Sequence, residues 1–156
     1  MNQLGRAAAG TLGAGALLAG ALVIPGAQAL DKPGAVTVTA IVARHKHVDV
    51  GAKGKSVGDL DQYSSLVYNK RITPTPIGRG SMLCTTVSSS NQSCSATYFL
   101  PKGEIVVQGV IGSRLIYALP VVGGTGLYDN VKGTLTATSL RRSPTVRELL
   151  VFRLVV

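Results

Sequence analysis

The sequence predicts an all-β fold built from about eight antiparallel strands. Short segments rich in β-branched residues recur along the chain and are separated by turn-forming residues. No window shows the periodicity of an amphipathic helix. Three glycines, Gly123, Gly124 and Gly126, lie between two strand-like segments and indicate a sharp bend at which side chains would collide.

The strands follow one another with short connections. The first is dense in valine and threonine, and a polar link with glycine and lysine separates it from the second. A proline-rich connection, 72–76, precedes the third, and the serine-rich turn 88–93 joins the third and fourth as a hairpin. The predicted strands are 36–43, 59–68, 77–87, 94–99, 104–110, 115–122, 133–140 and 146–156.

Composition alone does not decide between a sandwich and a closed up-and-down barrel. Several strands are apolar on both faces; in the last one, Leu149 and Val151 alternate with Leu150 and Phe152. Two apolar faces indicate a lined interior and an exterior buried against another subunit. The alternative is a fully packed interior with scattered aliphatic residues on the surface.

Residues 1–29 have the pattern of a secretory signal peptide. Arg6 is followed by an apolar stretch, and Ala27 and Ala29 form a small-x-small cleavage site. We therefore expect a secreted protein that meets the membrane only transiently through this segment, and one domain over residues 30–156. A retained N-terminal anchor is the alternative.

The chain is basic, with 16 Lys and Arg against 7 Asp and Glu and a net charge of +9. Such a charge is consistent with association with an anionic polymer or membrane surface. However, the cations are scattered, and the few aromatic residues are not interleaved with them. We interpret the charge as a solvated surface and expect no specific nucleic-acid binding.

Cys84 and Cys94 flank the serine-rich turn. If the two residues face each other across the hairpin of an exported protein, their separation suits a disulfide. A reactive thiol at Cys84 and unpaired buried cysteines remain alternatives.

His45, His47 and Asp49 alternate along the chain and share one face if the segment is extended. They could bind a transition-metal ion or end a strand in solvent; we favour the second and predict no metal. The chain has no nucleophile elbow, and its glycine cluster leads into a strand rather than the helix that a phosphate-binding loop needs.

Four motifs together resemble dirigent proteins and, more loosely, allene oxide cyclases. The main motif is 120–126, Pro-Val-Val-Gly-Gly-Thr-Gly, followed by an aromatic residue and a later glycine. Upstream matches lie at 57–60, at 78–84 and at 96–109. The resemblance covers roughly residues 57–140.

The resemblance implies an eight-stranded, lipocalin-like antiparallel barrel of the allene oxide cyclase and dirigent type, commonly assembled as a trimer. Allene oxide cyclases close an unstable epoxide inside an apolar barrel, and dirigent proteins steer the coupling of phenoxy radicals. Neither activity requires a cofactor within the barrel, so we expect none here.

Carried over residue by residue, the resemblance places Tyr63 at a pocket aromatic and Cys84 at a family cysteine, whereas the first-strand glutamate of the cyclases has no counterpart. From the residues themselves, Tyr63, Tyr98 and Tyr117 are candidate pocket donors, because tyrosine offers an apolar body and a hydroxyl. Glu104 is the candidate carboxylate at a strand start. Arg114 could face a pocket mouth, and an exposed arginine at a strand end is the favoured alternative. Core packing is the alternative role for each tyrosine.

The sequence therefore predicts a secreted, cofactor-independent barrel that binds a small apolar or phenolic molecule and guides its cyclisation or stereoselective coupling. If the protein is an enzyme, we expect an intramolecular cyclase or isomerase. The alternative is a non-catalytic extracellular carrier or a structural trimer.

Overall fold

The computed structural model describes residues 34–142 and 145–155, which form a closed antiparallel barrel of eight strands. The predicted signal peptide lies outside the described residues. The strands are β1 Gly34–Val48, β2 Leu60–Asn69, β3 Gly78–Thr86, β4 Asn91–Leu100, β5 Gly103–Gly112, β6 Ile116–Gly124, β7 Lys132–Arg142 and β8 Thr145–Val155.

Each strand pairs with the next in sequence, and β1 pairs with β8 to close the ring. The prediction of an eight-stranded up-and-down barrel is confirmed. Closure pairs every strand on both sides, so the sheet has no open edge. Within the described part of the chain, no helix is long and apolar enough to cross a membrane.

Large apolar side chains fill one end of the barrel, which we call the packed end. Alternate residues of each strand point inward, and those at this end are fully buried. The ring of Tyr98 meets that of Phe152 edge to face, with centroids 5.3 Å apart. The largest fully buried apolar side chains are Phe152, Ile105, Leu119, Leu135, Leu150, Val67 and Val107.

The glycine-rich bend lies at the packed end. β6 ends at Gly124, a short 3-10 helix spans Gly126–Tyr128, and the chain then returns along β7. A Cβ on Gly124 would lie 2.4 Å from the Tyr128 carbonyl oxygen, and one on Gly133 would lie 1.9 Å from that of Arg153. Gly124 therefore allows the close approach that the sequence predicted, whereas a Cβ on Gly123 would meet nothing within 4 Å.

Cys84 of β3 and Cys94 of β4 are directly opposite each other in the register and form a disulfide. Both residues are buried, at 0% and 1% exposure. The predicted pairing is confirmed.

β1 is longer than predicted because it continues through His47 to Val48. Its register against β2 shifts between Val42 and Arg44, which marks a β-bulge. Beyond the bulge, His45 pairs with Tyr63 and His47 pairs with Asp61. The two histidines therefore share the face of the inward-pointing β2 residues.

Candidate functional site

The half of the barrel away from the packed end encloses a cavity of about 510 Å³, which we call the inner cavity. A cavity of this size accommodates a small organic molecule. Its lining is mainly apolar, with hydroxyls, one amide and one carboxyl. The residues that line it are Val42, Tyr63, Ser65, Gly80, Ser81, Met82, Cys84, Gln92, Tyr98, Ile111, Tyr117, Ser139, Thr145, Val146 and Glu148.

Three predicted tyrosines, Tyr63, Tyr98 and Tyr117, converge on this cavity from β2, β4 and β6. Glu148 of β8 supplies the carboxyl of the lining. The hydroxyl of Tyr117 donates a hydrogen bond to this carboxyl, with oxygen–oxygen distances of 3.2 and 3.3 Å. The cavity therefore combines an apolar surface with a phenol–carboxyl pair that can hold or transfer a proton.

Burial raises the pKa of Glu148, because the apolar surroundings disfavour its charged form, and the hydrogen bond from Tyr117 only partly offsets this. Burial also raises the pKa of Tyr98 and of Tyr117, and the nearby Glu148 adds to both shifts. The phenols therefore stay protonated, while Glu148 holds its proton to a higher pH than an ordinary carboxyl.

The two other predicted site residues lie elsewhere. Glu104 is at the start of β5 near the packed end, where its backbone N–H donates to the Thr125 hydroxyl at 3.1 Å. Arg114 lies in the turn between β5 and β6 and is exposed. Neither lines the inner cavity.

A polar cluster, which we call the mouth cluster, lies beside the inner cavity and consists of Asp61, His45, His47 and Gln92. Oδ1 of Asp61 lies 2.8 Å from Nε2 of His45 and 2.9 Å from Nδ1 of His47. Oδ2 of Asp61 accepts a hydrogen bond from the Gln92 amide at 2.8 Å. The imidazole of His45 also stacks on the ring of Tyr63, with centroids 4.5 Å apart. Asp61 thus joins β1, β2 and β4 at the entrance.

The hydrogen bonds of this cluster stabilise the ionised form of Asp61. Burial alone would raise the pKa of Asp61, but the hydrogen bonds from His45, His47 and Gln92 outweigh it and hold that pKa below its usual value. The hydrogen bond with Asp61 raises the pKa of His47 in turn. Asp61 is therefore ionised over most of the pH range.

The loop between β1 and β2 is organised by Asp59, whose carboxylate accepts hydrogen bonds from the backbone N–H groups of Val50 and Ser56. Aspartate suits this role because its short side chain reaches nearby backbone N–H groups. The loop helps to enclose an outer chamber of about 480 Å³, which shares Gln92 and Ile111 with the inner cavity. The chamber is lined by His47, Asp49, Gly54, Lys55, Asp61, Thr86, Ser90, Gln92, Ile111, Gly112 and Ser113.

The alternating set His45, His47 and Asp49 does not come together. Asp49 accepts a hydrogen bond from the backbone N–H of Gly54 at 2.9 Å. The imidazoles of His45 and His47 are both hydrogen-bonded to Asp61 instead. Over residues 34–142 and 145–155, no group of three or more His, Cys, Asp or Glu side chains has the arrangement of a metal site.

Sequence reasoning missed Glu148 and the role of Asp61. Glu148 is in phase with Leu150, Phe152 and Leu154, which face the interior. This alternation in the last strand was the signal that could have identified it.

No family model and no curated protein matches the sequence. Solved structures do match. Pyocyanin demethylase aligns with a TM-score of 0.68 and 24% identity over 78% of this chain and 100% of its own. A pterocarpan synthase dirigent protein aligns with a TM-score of 0.61 and 15% identity over 79% of this chain and 96% of its own. The chain has the dirigent-type barrel fold.

The Diels-Alderase AbmU from Streptomyces koyangensis shares this dirigent-type barrel, with a TM-score of 0.62 and 15% identity. The alignment covers 79% of this chain and 64% of AbmU, so the chain spans less than two thirds of that protein. The predicted resemblance is confirmed at the level of the fold. At these identities the fold alone is shared, and the chemistry must be argued from this chain's own cavity.

Proposed function

We propose that the inner cavity binds a small, largely apolar molecule and guides its cyclisation or isomerisation without a cofactor. The Tyr117–Glu148 pair carries this proposal, because it is a proton-transfer group placed inside an apolar cavity. A carboxyl whose pKa is raised by burial can give a proton to a substrate oxygen and take one back at a higher pH than an ordinary carboxyl does.

The cavity contributes shape as well as protons. Holding a flexible chain in a reactive conformer removes on the order of several kcal/mol of entropic barrier. The apolar walls also exclude water, which protects a reactive intermediate from hydrolysis. Cyclases and a dirigent protein are among the proteins with this barrel. Pyocyanin demethylase aligns over its whole length, so pyocyanin, a planar aromatic molecule, is a rational first ligand for screening.

The proposal is tested in two stages. The first measures binding of N-phenylnaphthylamine, an uncharged fluorescent probe that the basic surface does not attract. We expect binding by the wild type and at least tenfold weaker binding by Ser139→Leu, which fills the cavity beside Glu148. Ser95→Leu places the same side chain on the outer wall and serves as the matched control.

The second stage compares product stereochemistry with and without protein for reactive precursors of ring-forming reactions. Selectivity that Glu148→Gln abolishes while probe binding persists supports a catalytic role. Binding without any effect on product distribution identifies a carrier and overturns the cyclase proposal.

We further propose export and self-association. The buried disulfide supports export, since such bonds persist in oxidising compartments. A homo-oligomer such as a trimer is supported by the apolar residues exposed on the outer wall. They include Phe99, Val110, Ile116 and Val122. Light scattering of the mature protein distinguishes a trimer from a monomer.

A further inference from the structure

The hydrogen bonds at Asp61 determine the tautomer of both histidines. An ionised carboxylate only accepts hydrogen bonds, so the ring nitrogens that face Asp61 must carry the protons. Neutral His45 is therefore protonated on Nε2, and neutral His47 is protonated on Nδ1. In each ring the other nitrogen keeps a free lone pair, which is the arrangement of an oriented base.

The two bases differ in their surroundings. His45 stacks on Tyr63 and does not line the outer chamber, whereas His47 does. Lys55 lines the same chamber and, within the described part of the chain, makes no ion pair. The charged groups around His47 are Asp61 on β2 and Asp49, Lys55 and Asp59 of the loop. The chamber thus places a base and a cation around one space.

We propose that the outer chamber is a second site, which binds a weakly acidic O–H or N–H group and takes up its proton at Nε2 of His47. The bond between hydrogen and the ligand heteroatom breaks, and its electron pair stays on the ligand. The proton joins the lone pair of Nε2, which gives an imidazolium held by the Asp61 carboxylate. The ligand anion is then balanced by Lys55 and by the imidazolium itself.

The two cavities share Gln92 and Ile111, but the proton-accepting group of this site is not the one assigned to the inner cavity. Glu148 and Tyr117 line only the inner cavity, and Asp61 and His47 line only the outer chamber. The inference therefore stands or fails independently of the proposed cyclase function.

The test uses 4-nitrophenol, whose phenolate absorbs at longer wavelength than the phenol. We expect the wild type to produce the phenolate band at a pH at which free nitrophenol is protonated. His47→Gln should lose the band and weaken binding about tenfold or more, the effect of losing one charge-assisted hydrogen bond. His45→Gln and Glu148→Gln should retain the band. Its absence in the wild type, or its persistence in His47→Gln, overturns the proposal.

A second measurement needs no substitution. Nitrogen NMR of the imidazoles should show His47 protonated on Nδ1, and 4-nitrophenol should shift Nε2 of His47 toward the protonated value. 4-Nitroanisole, which has no acidic proton, should bind at least tenfold more weakly and leave Nε2 unchanged. Protonation of His47 on Nε2 in the free protein, or equal binding of the two compounds, contradicts the assignment.

Discussion

Tyr117 and Glu148 lie on β6 and β8, two strands separated by β7, yet their side chains meet inside the barrel through hydrogen bonds of 3.2 and 3.3 Å. Closure and the curvature of the sheet bring them together. Among the side chains that the structure describes, no Lys or Arg forms an ion pair with Glu148. The phenol is thus the carboxyl's protein hydrogen-bond partner.

We expect Glu148→Gln to stabilise the protein at neutral pH. The folded state raises the pKa of Glu148, so it binds the proton more tightly than the unfolded state does. Between the two pKa values the free energy of unfolding of the wild type falls by about 1.4 kcal/mol per pH unit as the pH rises. The substituted amide does not ionise, so the variant has no such penalty.

The measurement is thermal unfolding from pH 4 to pH 8. The melting temperatures of the two proteins should diverge with rising pH, by about 4 °C for each kcal/mol in a domain of this size. Glu104→Gln makes the same substitution at the packed end, outside the inner cavity, and is the matched control. A constant difference at every pH would contradict the predicted linkage.

Tyr117→Phe should raise the pKa of Glu148 further. The hydrogen bond from Tyr117 is the contact that lowers that pKa, and phenylalanine keeps the ring but removes the donor. Carbon NMR of the labelled glutamate carboxyls gives the titration directly. An unchanged titration would mean that the hydrogen bond does not form in solution.

The neighbouring glycines of the bend should respond differently to alanine. A Cβ on Gly124 would lie 2.4 Å from the Tyr128 carbonyl oxygen and 2.5 Å from that of Glu104, whereas a Cβ on Gly123 meets nothing within 4 Å. Backbone atoms cannot yield as a flexible side chain does. We expect Gly124→Ala to cost about 2–4 kcal/mol and Gly123→Ala less than about 0.5 kcal/mol in urea unfolding. Equal effects would show that the bend is not tightly packed.

The barrel could be predicted from the sequence because its signals are local. Strand composition, the turn residues and the glycine bend all lie within a few residues of the features that they specify. The inward orientation of Tyr63, Tyr98 and Tyr117 follows from strand alternation once closure is assumed. Glu148 follows from the same alternation, but its residue type beside Arg147 does not distinguish a carboxyl that lines a cavity from one that faces solvent.

The mouth cluster could not be predicted in the same way. The contact between Asp61 and the two histidines depends on the register of β1 against β2, which a bulge shifts between Val42 and Arg44. A bulge of one residue reverses which side chains face the interior, and no residue type in this segment specifies it. Asp49 was therefore the carboxylate that the sequence associated with the histidines.

Loss of the disulfide should lower the free energy of unfolding by about 2–3 kcal/mol, the chain-entropy value for a loop this short. The double substitution Cys84→Ala with Cys94→Ala tests this in urea. Because Cys84 also lines the inner cavity, the variant should bind the fluorescent probe with altered affinity. Reductant should destabilise the wild type and leave the variant unchanged; equal sensitivity would mean that the bond is not formed.

Asp61→Asn should lower the pKa of His47 and make the protein less stable in mildly acidic solution. The raised pKa of His47 contributes stability that is fully present below the imidazole's ordinary 6.5 and is lost as the pH rises through the folded value. The lowered pKa of Asp61 contributes stability that is present above the carboxyl's ordinary 3.8 and is lost as the pH falls through the folded value. Both contributions are complete between these two pH values, so the deficit of Asp61→Asn should be largest there.

The titration of His47 by proton NMR, together with urea unfolding at pH 5 and pH 9, measures both effects. Asp49 also lies near His47, but it accepts a hydrogen bond from Gly54 and none from the imidazole. Asp49→Asn should therefore shift the titration of His47 much less than Asp61→Asn does. If the two variants shift His47 equally, the imidazole responds to the summed charge of the loop. A shift confined to Asp61→Asn shows instead that the direct hydrogen bond of 2.9 Å sets the basicity of His47. Salt separates the two causes further, because it weakens the attraction of a distant charge much more than it weakens a direct contact.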